Sequence, residues 1–133
     1  MNTRTRLFVF VSIVLLFALL PIFASAADDT TVTIGEGKTE VTAEDTADYR
    51  SAASIRIADG VTHIADGAFR NFFSLTEIQF PDSLQTIGDE AFSFCSGLES
   101  APLPEGLQTI GEQAFYACAK LSSVHIPEGV TSI

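Results

Sequence analysis

The sequence predicts an α/β solenoid of 23-residue coils, each a strand, a turn, an extended segment and a short helix. Three observations carry this prediction. An Ala-Phe pair recurs at Ala68-Phe69, Ala91-Phe92 and Ala114-Phe115, at a constant spacing of 23. The apolar residues around the pair fall into columns at the same period, with no insertion or deletion. One position in each unit is punctuated by a proline or alanine, an acid and a small residue. A fixed period in this range marks a repeat architecture in which each unit buries its apolar face against its neighbours.

Each coil opens on a strand. Ile78-Gln79-Phe80 alternates apolar, polar, apolar, the period-two pattern of a half-buried strand. Its inner columns are Ile55, Ile78, Ala101, Val124 and Ile57, Phe80, Leu103, Ile126. A turn follows at Pro81-Asp82-Ser83 and Pro104-Glu105-Gly106, where proline fixes φ and glycine is expected to supply a positive φ. Ser83 breaks the column of Gly60, Gly106 and Gly129, so either the turn type varies or the strain is tolerated there. An extended segment then turns Val61, Leu84, Leu107, Val130 and Ile64, Ile87, Ile110, Ile133 inward. Asp89 and Glu112 stand where a helix would begin, an acid suited to orphan N–H groups and the helix dipole. Ala91, Phe92, Cys95 and Leu98 follow at i, i+1, i+4 and i+7, one face of a short helix. The core columns on this side are Phe69, Phe92, Phe115, then Phe72, Cys95, Cys118, then Leu75, Leu98, Leu121.

The period reaches one step further back. Val32, Ile34, Gly37, Val41 and Tyr49 precede Ile55, Ile57, Gly60, Ile64 and Phe72 by one repeat, while Asp45-Thr46 replaces Ala-Phe. A more polar terminal repeat is what a solenoid needs where its end meets water. Residues 27–54 are therefore read as a linker and degenerate capping coil, and 55–133 as repeats 55–77, 78–100, 101–123 and a partial 124–133. The chain stops at Ile133, in the column of Ile110 and just before the helical segment would recur, which reads as a truncated array.

Residues 1–26 read as a secretory signal peptide. Arg4 and Arg6 precede an apolar run from Leu7 to Phe23, and Ala24-Ser25-Ala26 has the small residues of a cleavage site. An uncleaved anchor is the rival, although the run is near the lower limit for a span and Pro21 interrupts its end. Cleavage would remove two of the seven basic residues and none of the seventeen acids, leaving a net charge of −12. That charge opposes nucleic-acid binding and attachment to anionic membranes. Two cysteines are too few for a disulfide scaffold.

The unit I-x-[IFL]-P-[DE]-G-[LV]-x-x-I-G-x-x-A-F-x-x-C-x-x-L, carried by residues 78–100 and 101–123 and more loosely by 55–77, closely resembles the BspA-like, or treponeme-type, leucine-rich repeats. Residues 55–77 depart from it with Ala58, Ala65 and Phe72. The resemblance implies a right-handed leucine-rich-repeat array, secretion or surface display, and binding roles such as adhesion to host, matrix or cell-surface partners. It implies no catalytic residues.

Cys95 and Cys118 share a column with Phe72 and Tyr49, an apolar slot in which a free thiol packs as a small hydrophobe. The rival is a disulfide between adjacent coils, disfavoured because packed helices lie about 8–10 Å apart. No zinc spacing is present, and the acids of the turn column (Asp59, Asp82, Glu105, Glu128) do not converge as calcium ligands do. His63 shares a solvated column with Thr86, Thr109 and Ser132. No catalytic, metal or cofactor site is expected, and the chain is not read as an enzyme. The outward strand residues Ser54, Arg56, Glu77, Gln79, Ser100, Pro102, Ser123 and His125 vary from coil to coil while the inner columns hold. They form the expected binding face for a protein or glycan ligand, since the sheet of a solenoid is a common docking surface. The alternatives are a structural spacer in a larger surface protein or a fragment without function of its own.

Overall fold

The structure is a computed structural model and describes residues 30–133. The expected signal peptide lies outside the described residues. In chain order the elements are β1 (Val32–Ile34), β2 (Glu40–Val41), α1 (Ala43–Thr46), a 3-10 turn (Ala47–Tyr49), β3 (Ser54–Ile57), β4 (His63–Ile64), β5 (Glu77–Gln79), β6 (Thr86–Ile87) and β7 (Thr109–Ile110). They build two parallel sheets, ordered β1-β3-β5 and β2-β4-β6-β7. The register follows the sequence columns: Val32 pairs with Ile55 and Ile55 with Ile78 in one sheet. In the other, Val41, Ile64, Ile87 and Ile110 follow one another. A single bridge extends each sheet, Glu77 to Ser100 and Thr109 to Ser132. The chain is thus a β-solenoid whose coil is the 23-residue repeat.

The inner columns form the core over the full coils, whereas Ile126 and Ile133 of the partial last coil are 45% and 72% exposed. Ile55, Ile78, Val61, Leu84, Leu107, Phe69, Phe92, Leu75 and Leu98 are all fully buried. Phenylalanines stack along the axis, Phe69 on Phe92 at 5.0 Å and Phe92 on Phe115 at 5.3 Å, with nearly parallel ring planes in both pairs. Offset stacking of this kind adds to the apolar burial.

The helical third differs between coils. A short helix is present in the first coil as α1, opened by Thr42 in a capping box whose Asp45 carboxylate accepts the Thr42 N–H at 3.0 Å. In the next three coils the same positions form successive turns. Alternate N–H groups bond within the coil, as from Cys95 to Phe92 O at 3.2 Å. In the first two of these coils the others reach the next coil, as from Phe92 to Ala114 O and Phe94 to Tyr116 O, both at 2.8 Å. Left-handed residues make this possible: Gly67, Glu90 and Gln113 at φ 62°, 52° and 55°, then Asn71, Phe94 and Ala117 at 65°, 60° and 56°. A regular helix is about 10 Å across, too thick for coils spaced as the two sheets space them. The turn run keeps the helical burial pattern, with Ala91, Phe92, Cys95 and Leu98 all buried, and bonds its backbone between coils.

Two further expectations change in detail. Asp89 does not serve the N–H groups of its own coil. Its Oδ1 accepts the N–H of Glu112 at 2.8 Å, as Asp66 Oδ1 accepts that of Asp89 at 2.8 Å, so this column braces coil to coil. The turn type varies, which resolves the Ser83 anomaly. Gly60 has φ 93° in the proline-free turn, but Gly106 and Gly129 are not among the positive-φ residues. Ser83 therefore needs no strain, and its hydroxyl donates to Val61 O at 2.8 Å and accepts the Gly60 N–H at 3.2 Å.

At the N-terminal coil, Thr46 takes the place of the column phenylalanine. It is fully buried, and its hydroxyl bonds to Ala43 O at 3.1 Å and Ala68 O at 2.6 Å. Lys38 pairs with Asp45. Burial raises the Asp45 pKa, but the Lys38 and Thr42 hydrogen bonds outweigh it and leave the carboxyl below its ordinary value.

Candidate binding face

The sheet β1-β3-β5 places the outward strand residues in rows. Thr33 lies opposite Arg56, and Arg56 opposite Gln79, so one exposed row runs across three coils. Ser54 lies opposite Glu77 in the neighbouring row. Adjacent parallel strands stand about 4.7–4.9 Å apart, which sets the pitch at which the row presents its side chains. Gln79 Nε2 donates to Glu77 Oε1 at 3.3 Å, linking the two rows. Arg56 borders an open, shallow depression with Thr33, Glu36, Gly37, Ala58 and Asp59. A guanidinium flanked by two carboxylates on an accessible surface can donate planar, forked hydrogen bonds to a partner's carboxylate or carbonyl groups.

Of the eight strand-face residues, Arg56, Glu77, Gln79, Ser100, Pro102, Ser123 and His125 are exposed. Ser54 is only 9% exposed, and its hydroxyl lies 3.3 Å from that of Thr31, so it supports the edge of the face from beneath. After β5 the sheet narrows to the single Glu77–Ser100 bridge. Pro102 accounts for part of this, because it has no N–H to give to a ladder. The rows are thus regular over the first three coils, with His125 beyond the region of regular pairing.

His63 is exposed in β4, with Nδ1 2.7 Å from Thr62 Oγ1. That hydroxyl also donates to Thr39 O at 3.1 Å. Among the described residues no group of three or more His, Cys, Asp or Glu is placed to hold a metal ion. No helix among them is long and apolar enough to cross a membrane.

A second surface escaped the sequence reading. On the turn side, Phe73, Phe94 and Tyr116 are exposed by 61%, 38% and 55%, and Phe94 meets Tyr116 edge-to-face at 5.5 Å. The signal was present as aromatics in columns otherwise polar or small: Phe73 with Ser96 and Ala119, Phe94 with Asn71 and Ala117, Tyr116 with Arg70 and Ser93.

Comparison with known proteins matches residues 23–133 to the BspA type leucine rich repeat region, in six copies. Among solved structures, a leucine-rich repeat protein of T. pallidum superposes with a TM-score of 0.62 at 30% identity, covering 72% of this chain and 45% of its own. A leucine-rich repeat protein of Bacteroides ovatus superposes with a TM-score of 0.52 at 33% identity, covering 77% of this chain and 24% of its own. The chain thus spans less than half the length of either. No curated protein matches.

Proposed function

This chain belongs to the BspA-type leucine-rich repeat family, a repeat fold suited to protein interaction, and from that premise we propose that it is a secreted or cell-surface binding module that docks a protein through the β1-β3-β5 strand face. The observation that carries the reading is the row Thr33–Arg56–Gln79. Its members are held in register by the parallel sheet and exposed, and they differ from coil to coil over constant inner columns. Constant columns fix the backbone, and free columns set what it recognises. The signal-peptide pattern and the acid-rich composition support an extracellular setting. The protein's net charge of −10 disfavours nucleic acid and anionic membranes as partners. The reading assigns no catalysis and no cofactor.

The test screens the protein against immobilised extracellular-matrix proteins and, in parallel, a glycan array. The variant Arg56→Ala/Gln79→Ala/His125→Ala is screened beside it, with circular dichroism to establish that the fold is kept. Matrix-protein binding that the folded variant loses supports the proposal. Binding confined to glycans makes the ligand a carbohydrate instead. Binding kept by the variant but lost in Phe94→Ala/Tyr116→Ala moves the interface to the exposed aromatics on the turn side. No binding in either format leaves the spacer reading in its place.

A further inference from the structure

The cysteine column lies on the side where packed helices would have kept neighbouring coils about 8–10 Å apart. The structure closes that gap. Phe92 and Phe94 N–H groups reach Ala114 and Tyr116 carbonyls at 2.8 Å, and the Phe92 and Phe115 rings stack at 5.3 Å. Laddered backbones of this kind stand about 4.7–4.9 Å apart, inside the roughly 4.4–6.8 Å Cα window of a disulfide.

Cys95 and Cys118 directly follow Phe94 and its column partner Ala117. Both thiols reach back one coil. Cys95 Sγ donates to Phe69 O at 3.1 Å, and Cys118 Sγ to Phe92 O at 3.2 Å. Both side chains tilt the same way, so the two thiols stand side by side in adjacent coils. Cys95 is fully buried, whereas Cys118 is only part-buried and open to a small reagent.

We infer that Cys95 and Cys118 form a redox pair, closing a disulfide between adjacent coils by exchange with a low-molecular-weight disulfide. Cys118 thiolate attacks the reagent R–S–S–R, forming Cys118–S–S–R and releasing R–S⁻. Cys95 then gives up its proton and attacks the Cys118 sulfur, expelling the second R–S⁻. The two protein protons end on two R–SH, so two protein thiols are oxidised and one small disulfide is reduced. The order follows from the environment. Cys118 is the more accessible of the two, and the Cys95 thiol beside it holds its pKa below the ordinary value, which favours it as the first nucleophile. That same contact, with burial, holds Cys95 protonated. Once Cys118 is capped as a neutral mixed disulfide, the charge that opposed Cys95 ionisation is gone. Side chains in one column run side by side, so the bond is one that a small thiol reopens.

The experiment equilibrates the full chain with oxidised glutathione, quenches in acid, alkylates in denaturant and measures intact mass. The expected result is a fall from two alkylatable thiols per chain to none, with a single Cys95–Cys118 linked peptide in a monomer, reversed by dithiothreitol. Cys95→Ser is expected to stop with one glutathione on Cys118, and Cys118→Ser to leave Cys95 unmodified in the folded protein. Two persistent thiols, two glutathione adducts on one chain, or a linkage between chains would overturn the inference. Because wild-type peptide mapping reads the bond itself, the result stands even if a variant fails to fold.

Discussion

Gly88 and Gly111 show how a single residue is dictated by the coil before it. Neither has a positive φ among the described residues, so the turn does not require them. A Cβ on Gly111 would sit 2.4 Å from both the N and the Oδ1 of Asp89, and one on Gly88 would sit 2.4 Å from Asp66 Oδ1. Ala65 holds the same position one coil earlier, where Ala43 stands in place of the aspartate. The glycines were legible as a column, but their cause was not, because it lies in an inter-coil hydrogen bond that spacing alone does not reveal. Gly111→Ala is expected to destabilise the protein by about 1–3 kcal/mol, the usual cost of overpacking, read as a lower urea midpoint. An unchanged midpoint would show that the brace yields freely. Ser93 is the opposite case. Its hydroxyl is buried and has no hydrogen-bond partner among the described residues. An unsatisfied buried hydroxyl costs about 1–3 kcal/mol, so Ser93→Ala should raise the midpoint, and a fall would mean that the hydroxyl is satisfied in solution.

At the scale of the element, the strands were legible and the helical third only partly so. Alternation in Ile78-Gln79-Phe80 places Ile78 inside and Gln79 outside, and β5 has that pattern. In the helical third the i, i+4, i+7 spacing named the buried residues correctly. It could not show that Glu90, Phe94, Gln113 and Ala117 adopt left-handed backbone, because only Gly67 and Asn71 in those two columns are residues that commonly do so. The assumption of helix-to-helix spacing between coils failed for the same reason. What holds this side together is the inter-coil ladder and the phenylalanine stack, whose centre is Phe92, with Phe80 also against it edge-to-face at 5.7 Å. Phe92→Ala is therefore expected to cost about 3–5 kcal/mol. Chemical denaturation should show this as one of the largest losses of any single truncation. A loss below about 1 kcal/mol would mean that the stack is not the spine of the fold.

At the scale of the molecule, the columns that repeat lie inside and those that vary lie outside. Each coil rests on its neighbours through two parallel sheets, the turn-side ladder and shared apolar columns, so stability accumulates over interfaces rather than within repeats. This freed the outward strand positions, and the same freedom made the candidate face legible in the sequence as the columns that do not repeat. The exposed aromatics on the turn side were less legible, because Phe73, Phe94 and Tyr116 each belong to a different column and none of the three columns is constant. The most direct test of the strand face is the dissociation constant of the matrix protein found in the screen, measured by surface plasmon resonance for the wild type and for Arg56→Ala/Gln79→Ala/His125→Ala. A binding face requires at least about tenfold weaker binding, about 1.4 kcal/mol, with the unfolding midpoint unchanged. Equal affinity in a folded variant would contradict it.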